Sequence, residues 1–201
     1  MNRATAITIC AIAAVTISGC SKASNSPTDS TTGYQSTVPA SQSRPTLTAP
    51  SLQPPTQKKY PGRLDIVFDP CTWISDGAIT KAGYDPKTRK RGDDMIAEDS
   101  FLTCDFSSPQ RDLAVDSGNV TWDEDLQKVG SYSEPTTVNG RQALWVRNPK
   151  RPGNCEIDLR TKVGFVQITT MLKDVAPLDL NPCDSLLDTA SAIEPEIGKD
   201  N

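Results

Sequence analysis

The chain has no histidine and few aromatic residues: three Trp, four Tyr and four Phe among 201 residues. Without an imidazole, Ser-His-Asp and Cys-His nucleophiles and His-ligated zinc are excluded. There is also no positive excess. Lys+Arg total 21 against Asp+Glu 25, a net charge of -4 that argues against a dedicated nucleic-acid binder. Hydrophobic residues make up only 36%, too few for a multi-span membrane protein. The longest uncharged, mostly apolar run, Ala4 to Ile17, is shorter than the roughly 20 residues a bilayer-spanning helix needs. At this length the chain suits one domain and not comfortably two.

What is present begins with an address. Asn2 and Arg3 give a short positive start, the apolar run follows, and Ser18-Gly19-Cys20 bounds it. That is the plan of a secretory signal. Ile17-Ser18-Gly19-Cys20 resembles a bacterial lipobox: a branched apolar residue, two small residues, then a thiol within reach of a lipid donor. The expectation is a signal peptide over residues 1-19, removed on export, and palmitate-type acylation at Cys20. Two or three acyl chains would then hold the protein at the extracytoplasmic face of the cell membrane.

Residues 20-59 read as the acylated Cys and a disordered tether. In 21-59, Ser, Thr and Pro supply 21 of 39 positions, and the large aliphatics are Val38, Leu47 and Leu52. Such a stretch buries too little apolar surface to offset its ordering entropy. Its span as a flexible chain is roughly 35 Å. The composition fits a plain spacer, or an O-glycosylated stalk. From Tyr60 the composition turns globular, and 60-201 is expected to be a single extracytoplasmic domain.

That domain holds Cys71, Cys104, Cys155 and Cys183. Export places them in an oxidising compartment, and an even number implies two disulfides. Four cysteines allow three connectivities. Cys71-Cys104 and Cys155-Cys183 are favoured, since each pair is adjacent in sequence and joins a helix start to a strand. Closing loops of about 30 residues would contribute ~3-4 kcal/mol each. The rival four-Cys metal site lacks paired C-x2-C spacing, so no metal and no cofactor is expected.

Asp69-Pro70-Cys71 carries the signals of a helix start, and Cys71, Ile74, Ala78 and Ala82 form one apolar face ending at Gly83. Asn181-Pro182-Cys183 repeats the opening, with Leu186, Leu187, Ala190 and Ile193 as the stripe until Pro195. Strands are expected between: Leu102-Cys104-Phe106, Leu113 to Trp122, a hairpin turning at Asn139-Gly140 and continuing through Gln142 to Val146, Cys155-Ile157-Leu159, and Val163 to Leu172, with a turn or bulge near Lys162-Val163-Gly164. Asp123 to Lys128 reads as a short helix or an acidic loop. The sum is α+β: a mostly antiparallel curved sheet of five or six strands, with an N-terminal and a C-terminal helix packed on one face and braced by the two disulfides.

Several groups invite chemistry. Lys87, Arg89, Lys90 and Arg91, between Pro86 and Gly92, suggest an anion-binding loop, or a solvated loop half-neutralised by Asp93 and Asp94. Asp123-Glu124-Asp125 lacks the geometry of a calcium loop and reads as a solvated turn. Trp73, Trp122, Trp145, Phe101, Phe106 and Phe165 suit a core or the wall of a lipid or sugar pocket. The sequon Asn119-Val120-Thr121 has little weight in a bacterium. A glycosidase-like carboxylate pair has no spacing signature among 25 acids.

The acylated Cys, the tether, Phe68-Asp69-Pro70-Cys71, Cys104, Val138-x-Gly140-x-x-Ala143, Cys155-Glu156-Ile157 and Asn181-Pro182-Cys183 occur in an order that resembles the actinobacterial cell-envelope lipoproteins grouped as domain of unknown function 3558. The resemblance covers roughly residues 65-195. Asp105-Phe106 stand where members often have Trp after the second cysteine. It implies a surface lipoprotein of a mycobacterial or nocardia-like host and transfers no catalytic residue.

The expected role is a non-enzymatic module of the cell envelope that binds a ligand or partner, such as an envelope protein or glycolipid. The alternative is a carrier of acyl or glycolipid components in an apolar pocket; a carboxylate-dependent hydrolase ranks below both. A large apolar pocket would mark the carrier, and a cleft with facing carboxylates of perturbed pKa would mark the enzyme.

Overall fold

The computed structural model describes residues 47–199 and 201. The expected signal peptide, Cys20 and residues 21–46 of the expected tether lie outside the described residues. The remainder of that tether is seated on the domain. The Leu47 amide donates to the Thr72 carbonyl (2.9 Å), Pro50–Leu52 form one 3-10 turn, and Leu52 packs against the core. Packing therefore begins upstream of the boundary expected at Tyr60.

The first helix is two helices. Asp69 caps α1 (Pro70–Trp73) as its sequence predicts. Ile74 is then extended, and Ser75 starts α2 (Asp76–Lys81) by accepting from the Ala78 amide at 3.2 Å. A serine hydroxyl offers the backbone an alternative to helix continuation, and here the alternative wins. Cys71, Ile74, Ala78 and Ala82 are all buried despite the break.

Seven strands follow, not five or six: β1 (Asp85–Arg91), β2 (Phe101–Ser107), β3 (Arg111–Gly118), β4 (Ser133–Val138), β5 (Arg141–Val146), β6 (Asn154–Arg160) and β7 (Phe165–Leu172). They form one antiparallel sheet in the order β1-β2-β3-β7-β6-β5-β4. The strand missed by apolar alternation is β1, the basic run expected as a loop. It is an edge strand, Asp-Pro-Lys-Thr-Arg-Lys-Arg, without a single aliphatic residue. Charge on an edge is a common guard against further pairing.

The Asn139-Gly140 turn joins β4 to β5 with φ of 50° and 87°, as a primed two-residue hairpin requires. Thr161 and Gly164 make the turn into β7, and the Thr161 amide donates to the Gly164 carbonyl at 2.9 Å. A Cβ at Gly164 would lie 2.3 Å from the Val120 carbonyl oxygen, so this close approach admits no side chain.

The two sheet faces differ. On one, Cys104, Phe106, Leu113, Val115, Cys155, Ile157, Leu159, Val166 and Ile168 form the main core with α1, α2 and the C-terminal helix α4 (Leu186–Ile197). Both expected disulfides are present: Cys71–Cys104 ties α1 to β2, and Cys155–Cys183 ties the turn before α4 to β6. On the other face, α3 (Trp122–Val129) covers Leu144, Val146 and Phe165 with Trp122 and Val129. Helices on both faces correct the expectation of one. Trp122 accordingly opens a helix and does not end the strand before it.

The C-terminal helix departs from expectation at both ends. Asn181-Pro182-Cys183 is turn, and α4 starts at Leu186 after Ser185 in the left-handed region (φ 63°). Pro195 lies inside the helix. Its missing N–H leaves the Ser191 carbonyl without the usual helical donor. Asn139 Nδ2 in the hairpin donates to that carbonyl at 2.9 Å, and the helix runs on to Gly198.

Candidate functional site

The basic run is split by the strand period. Arg89 turns under the helices, donating to Asp76 Oδ1 (2.8 Å) and the Cys71 carbonyl (3.2 Å) and stacking on Phe106 at 4.9 Å. Arg91 holds Asp69 through both terminal nitrogens at 2.7 and 2.8 Å. Lys90 points the other way, toward Asp105 (3.6 Å), and Lys87 is exposed. The four cations do not converge on one ligand position. Arg91 is the counter-ion of the buried Asp69, and Arg89, its own side chain buried, pairs with the exposed Asp76.

A different group converges on the face beneath α3. Asp116, Gln167 and Asp158 stand level on β3, β7 and β6. Glu156 lies two residues along β6, on the same face. Gln167 Nε2 donates to Asp158 Oδ1 (3.2 Å) and Glu156 Oε2 (3.1 Å), and Thr103 Oγ1 donates to Asp116 Oδ1 (2.6 Å). Asp125 on α3 descends onto this row. It is 2% exposed and Asp158 is fully buried. Neither Oδ2 has a hydrogen-bond partner outside the pair, and the two carboxyl groups lie within hydrogen-bonding reach of each other.

Two carboxylates cannot share that contact without a proton. Burial raises the pKa of Asp158 well above the carboxylate range, and the charges of Asp125 and Glu156 raise it further. Asp158 therefore keeps the proton, donates through Oδ2 to Asp125, and leaves Oδ1 to accept from Gln167. Burial pushes Asp125 up to about 6, with Lys128 and the Asp158 hydrogen bond pulling the other way. Burial likewise takes Asp116 up to about 6 and raises Glu156.

These groups line a cavity of about 240 Å³. Asp116, Asp125, Glu156 and Gln167 are on its wall, with Phe101, Phe165 and Tyr132 as aromatic surface and Lys128 and Arg151 among the cations. Arg151 approaches Glu156 at 3.7 Å. Phe101 and Phe165 meet edge-on at 5.9 Å. Of the other aromatic candidates, Phe106 is in the main core, Trp73 and Trp145 pack against it, and Trp122 belongs to the cluster under α3. Trp73 meets Phe68 edge-on at 5.8 Å. A further groove of about 350 Å³ is lined by Lys90, Asp105, Asp112 and Lys173.

Helix α3 resolves the acidic run. Thr121 and Glu124 form a capping box, and Arg63 bonds Glu124 at 2.5 Å. That contact and the Thr121 bonds hold Glu124 down to about 2. Asp125, expected on a solvated turn, is the buried one. Asn119 of the sequon is structural: Oδ1 accepts from the Ser100 amide and Nδ2 donates to the Glu98 carbonyl. Among the described residues, no cluster of three His, Cys, Asp or Glu could hold a metal ion. None of their helices is long and apolar enough to cross a membrane.

Sequence reasoning missed Asp116, Asp125, Glu156, Asp158 and Gln167. The one sequence trace is β6 itself, where Glu156 and Asp158 alternate with Cys155, Ile157 and Leu159. Alternation reads as one wet face; the acids are buried because α3 returns over them.

Fold and site define a disulfide-braced α+β domain with an acid-lined cavity on the face away from its disulfides. The chain belongs to the family described as "Protein of unknown function (DUF3558)", which matches residues 15–196. No curated protein and no solved structure matches it.

Proposed function

We propose that this chain is a lipid-anchored extracytoplasmic binding module of the cell envelope, non-enzymatic, whose ligand site is the cavity beneath α3. The observation that carries the reading is the cavity wall. Carboxylates on β3, β6 and α3 meet three aromatic rings in about 240 Å³. That lining suits a small ligand bearing an ammonium or guanidinium group, through charge and through the ring faces. The volume admits a head group or a small molecule and not an acyl chain, so the cavity favours binding over the carrier alternative. Anchoring at Cys20 would set location, and residues 21–46 would set reach.

The test is an NMR titration of the protein with putrescine and, separately, with uncharged 1,4-butanediol. Putrescine should shift the amides of residues 116, 156 and 167 and the diol should not; Asp116→Asn with Glu156→Gln should weaken the response at least tenfold. Equal response to both compounds, or response to neither, overturns the ligand class.

One observation favours a second reading, the carboxylate-dependent hydrolase: Asp116, raised to about 6, shares the cavity with ionisable Glu156. Turnover of aryl glycosides or esters that Asp116→Asn abolishes would move the assignment to that reading.

A further inference from the structure

The contact between α3 and the sheet is built in an unusual way. A cover helix would ordinarily meet a sheet through apolar side chains, and at its ends this one does, with Trp122 and Val129. At its middle, the buried residue of α3 is Asp125, and what it meets is the fully buried Asp158. No other hydrogen-bond partner reaches either Oδ2 atom. The helix is short, eight residues, and is held besides by Trp122 and Val129 at its ends and by the Arg63–Glu124 pair.

We propose that the Asp158–Asp125 pair is a proton-operated latch: with the shared proton present α3 is closed over the cavity, and removal of the proton releases α3 and opens the cavity to solvent. The step balances simply. Asp158 O–H loses its proton to water or buffer, and two carboxylates then face each other in a site that desolvates both. Gln167 of β7 is neutral and already engaged with Asp158 and Glu156. The facing charges make repulsion worse on the sheet side, where β6 brings Glu156 and β3 brings Asp116. Lys128 on α3 attracts Asp125, Arg151 is paired toward Glu156, and Tyr132 is the remaining titratable group on the wall. Opening restores water to every one of these carboxylates.

The sign follows from burial. Each carboxyl binds its proton more tightly in the closed form than in water, so the closed form is favoured at low pH and loses ground as pH rises. The loss begins near the ordinary carboxylate pKa, about 4, and runs through about 6 for Asp125, with Asp158 likewise raised by burial. One carboxyl shifted by about two pH units changes the open population ~10-fold between pH 5 and pH 7.5.

The latch regulates the site proposed above but is measured without any ligand, so its failure and the failure of that reading are separate results. The measurement is hydrogen exchange of the protein at pH 5 and pH 7.5, each amide rate divided by its intrinsic rate at that pH. Amides of residues 125–130 should open at least ~10-fold more at pH 7.5 while those of β3 and β7 stay protected. Asp158→Asn places an amide where the hydroxyl was. It donates to Asp125 at any pH, so most of the difference should vanish and α3 should stay closed at pH 7.5. Equal α3 opening at the two pH values in the unmodified protein overturns the latch, as does an undiminished difference in Asp158→Asn. Should that variant fail to fold, Asp125→Asn carries the same comparison from the helix side.

Discussion

Asp69 accepts four hydrogen bonds, from the Cys71 amide, Thr72 Oγ1 and both terminal nitrogens of Arg91. It is at once the cap of α1 and the counter-ion of a partly buried arginine on the edge strand. Its role as a cap is legible in Asp69-Pro70-Cys71; its partner, 22 residues on in β1, is not, because nothing local marks which of the basic residues turns inward. Asp69→Ala leaves Arg91 with the Leu52 carbonyl and with Asp94 at 3.5 Å. The expected cost is about 3 kcal/mol in urea unfolding, the lower end for breaking a buried ion pair. Asp69→Asn keeps the cap and should cost visibly less. Equal costs would show that the charge contributes nothing.

The elements were legible where a local rule decides them and illegible where a distant group does. The start of α1 was marked by Asp69-Pro70 and the β4–β5 turn by Asn139-Gly140, because both are settled within four residues. The sequence alone leaves α3 open between helix and loop, although Thr121 and Glu124 form its capping box. Pro195 misled for the opposite reason. Its local rule is to stop a helix, but the freed Ser191 carbonyl is satisfied from the hairpin by Asn139. Arg141 completes the same junction. It pairs with Glu194 at 2.9 Å and donates to the Gly198 carbonyl at 2.6 Å, at the helix end where a cation is favoured. Asn139→Gly keeps the left-handed turn and deletes the amide, so it should cost about 1 kcal/mol. Asn139→Ala adds left-handed strain and should cost about 2 kcal/mol. A neutral Asn139→Gly in thermal unfolding would mean that α4 tolerates Pro195 unaided.

At the scale of the molecule, the two disulfides pin helices to opposite halves of the sheet. Cys71–Cys104 holds α1 to β2, and Cys155–Cys183 holds the start of α4 to β6. The other face carries no covalent brace and is closed by α3. One side of the protein is thus held by covalent bonds and the other by non-covalent contacts alone, the Trp122 and Val129 cluster among them. The anchor is a separate prediction. Cells fed labelled palmitate should label this protein, and Cys20→Ala should lose the label and leave the membrane fraction. Release together with retained label would refute acylation at that thiol; retention of an unprocessed chain would make the apolar run itself the anchor.

The sequence by itself determined whatever depends on residues near one another along the chain: the signal-like start, the caps, the hairpin, the alternating core of β6 and β7. It favoured, among three connectivities, the cysteine pairing that the structure shows. Family membership was legible in the same spaced motifs. The tertiary structure alone decided which face each acid occupies and what covers it. Asp116, Asp125, Glu156 and Asp158 come from three elements spread over 43 positions, and their chemistry exists only once α3 excludes water from the row they form. Burial is a property of the assembled layers, and the protonation of a carboxyl follows from burial.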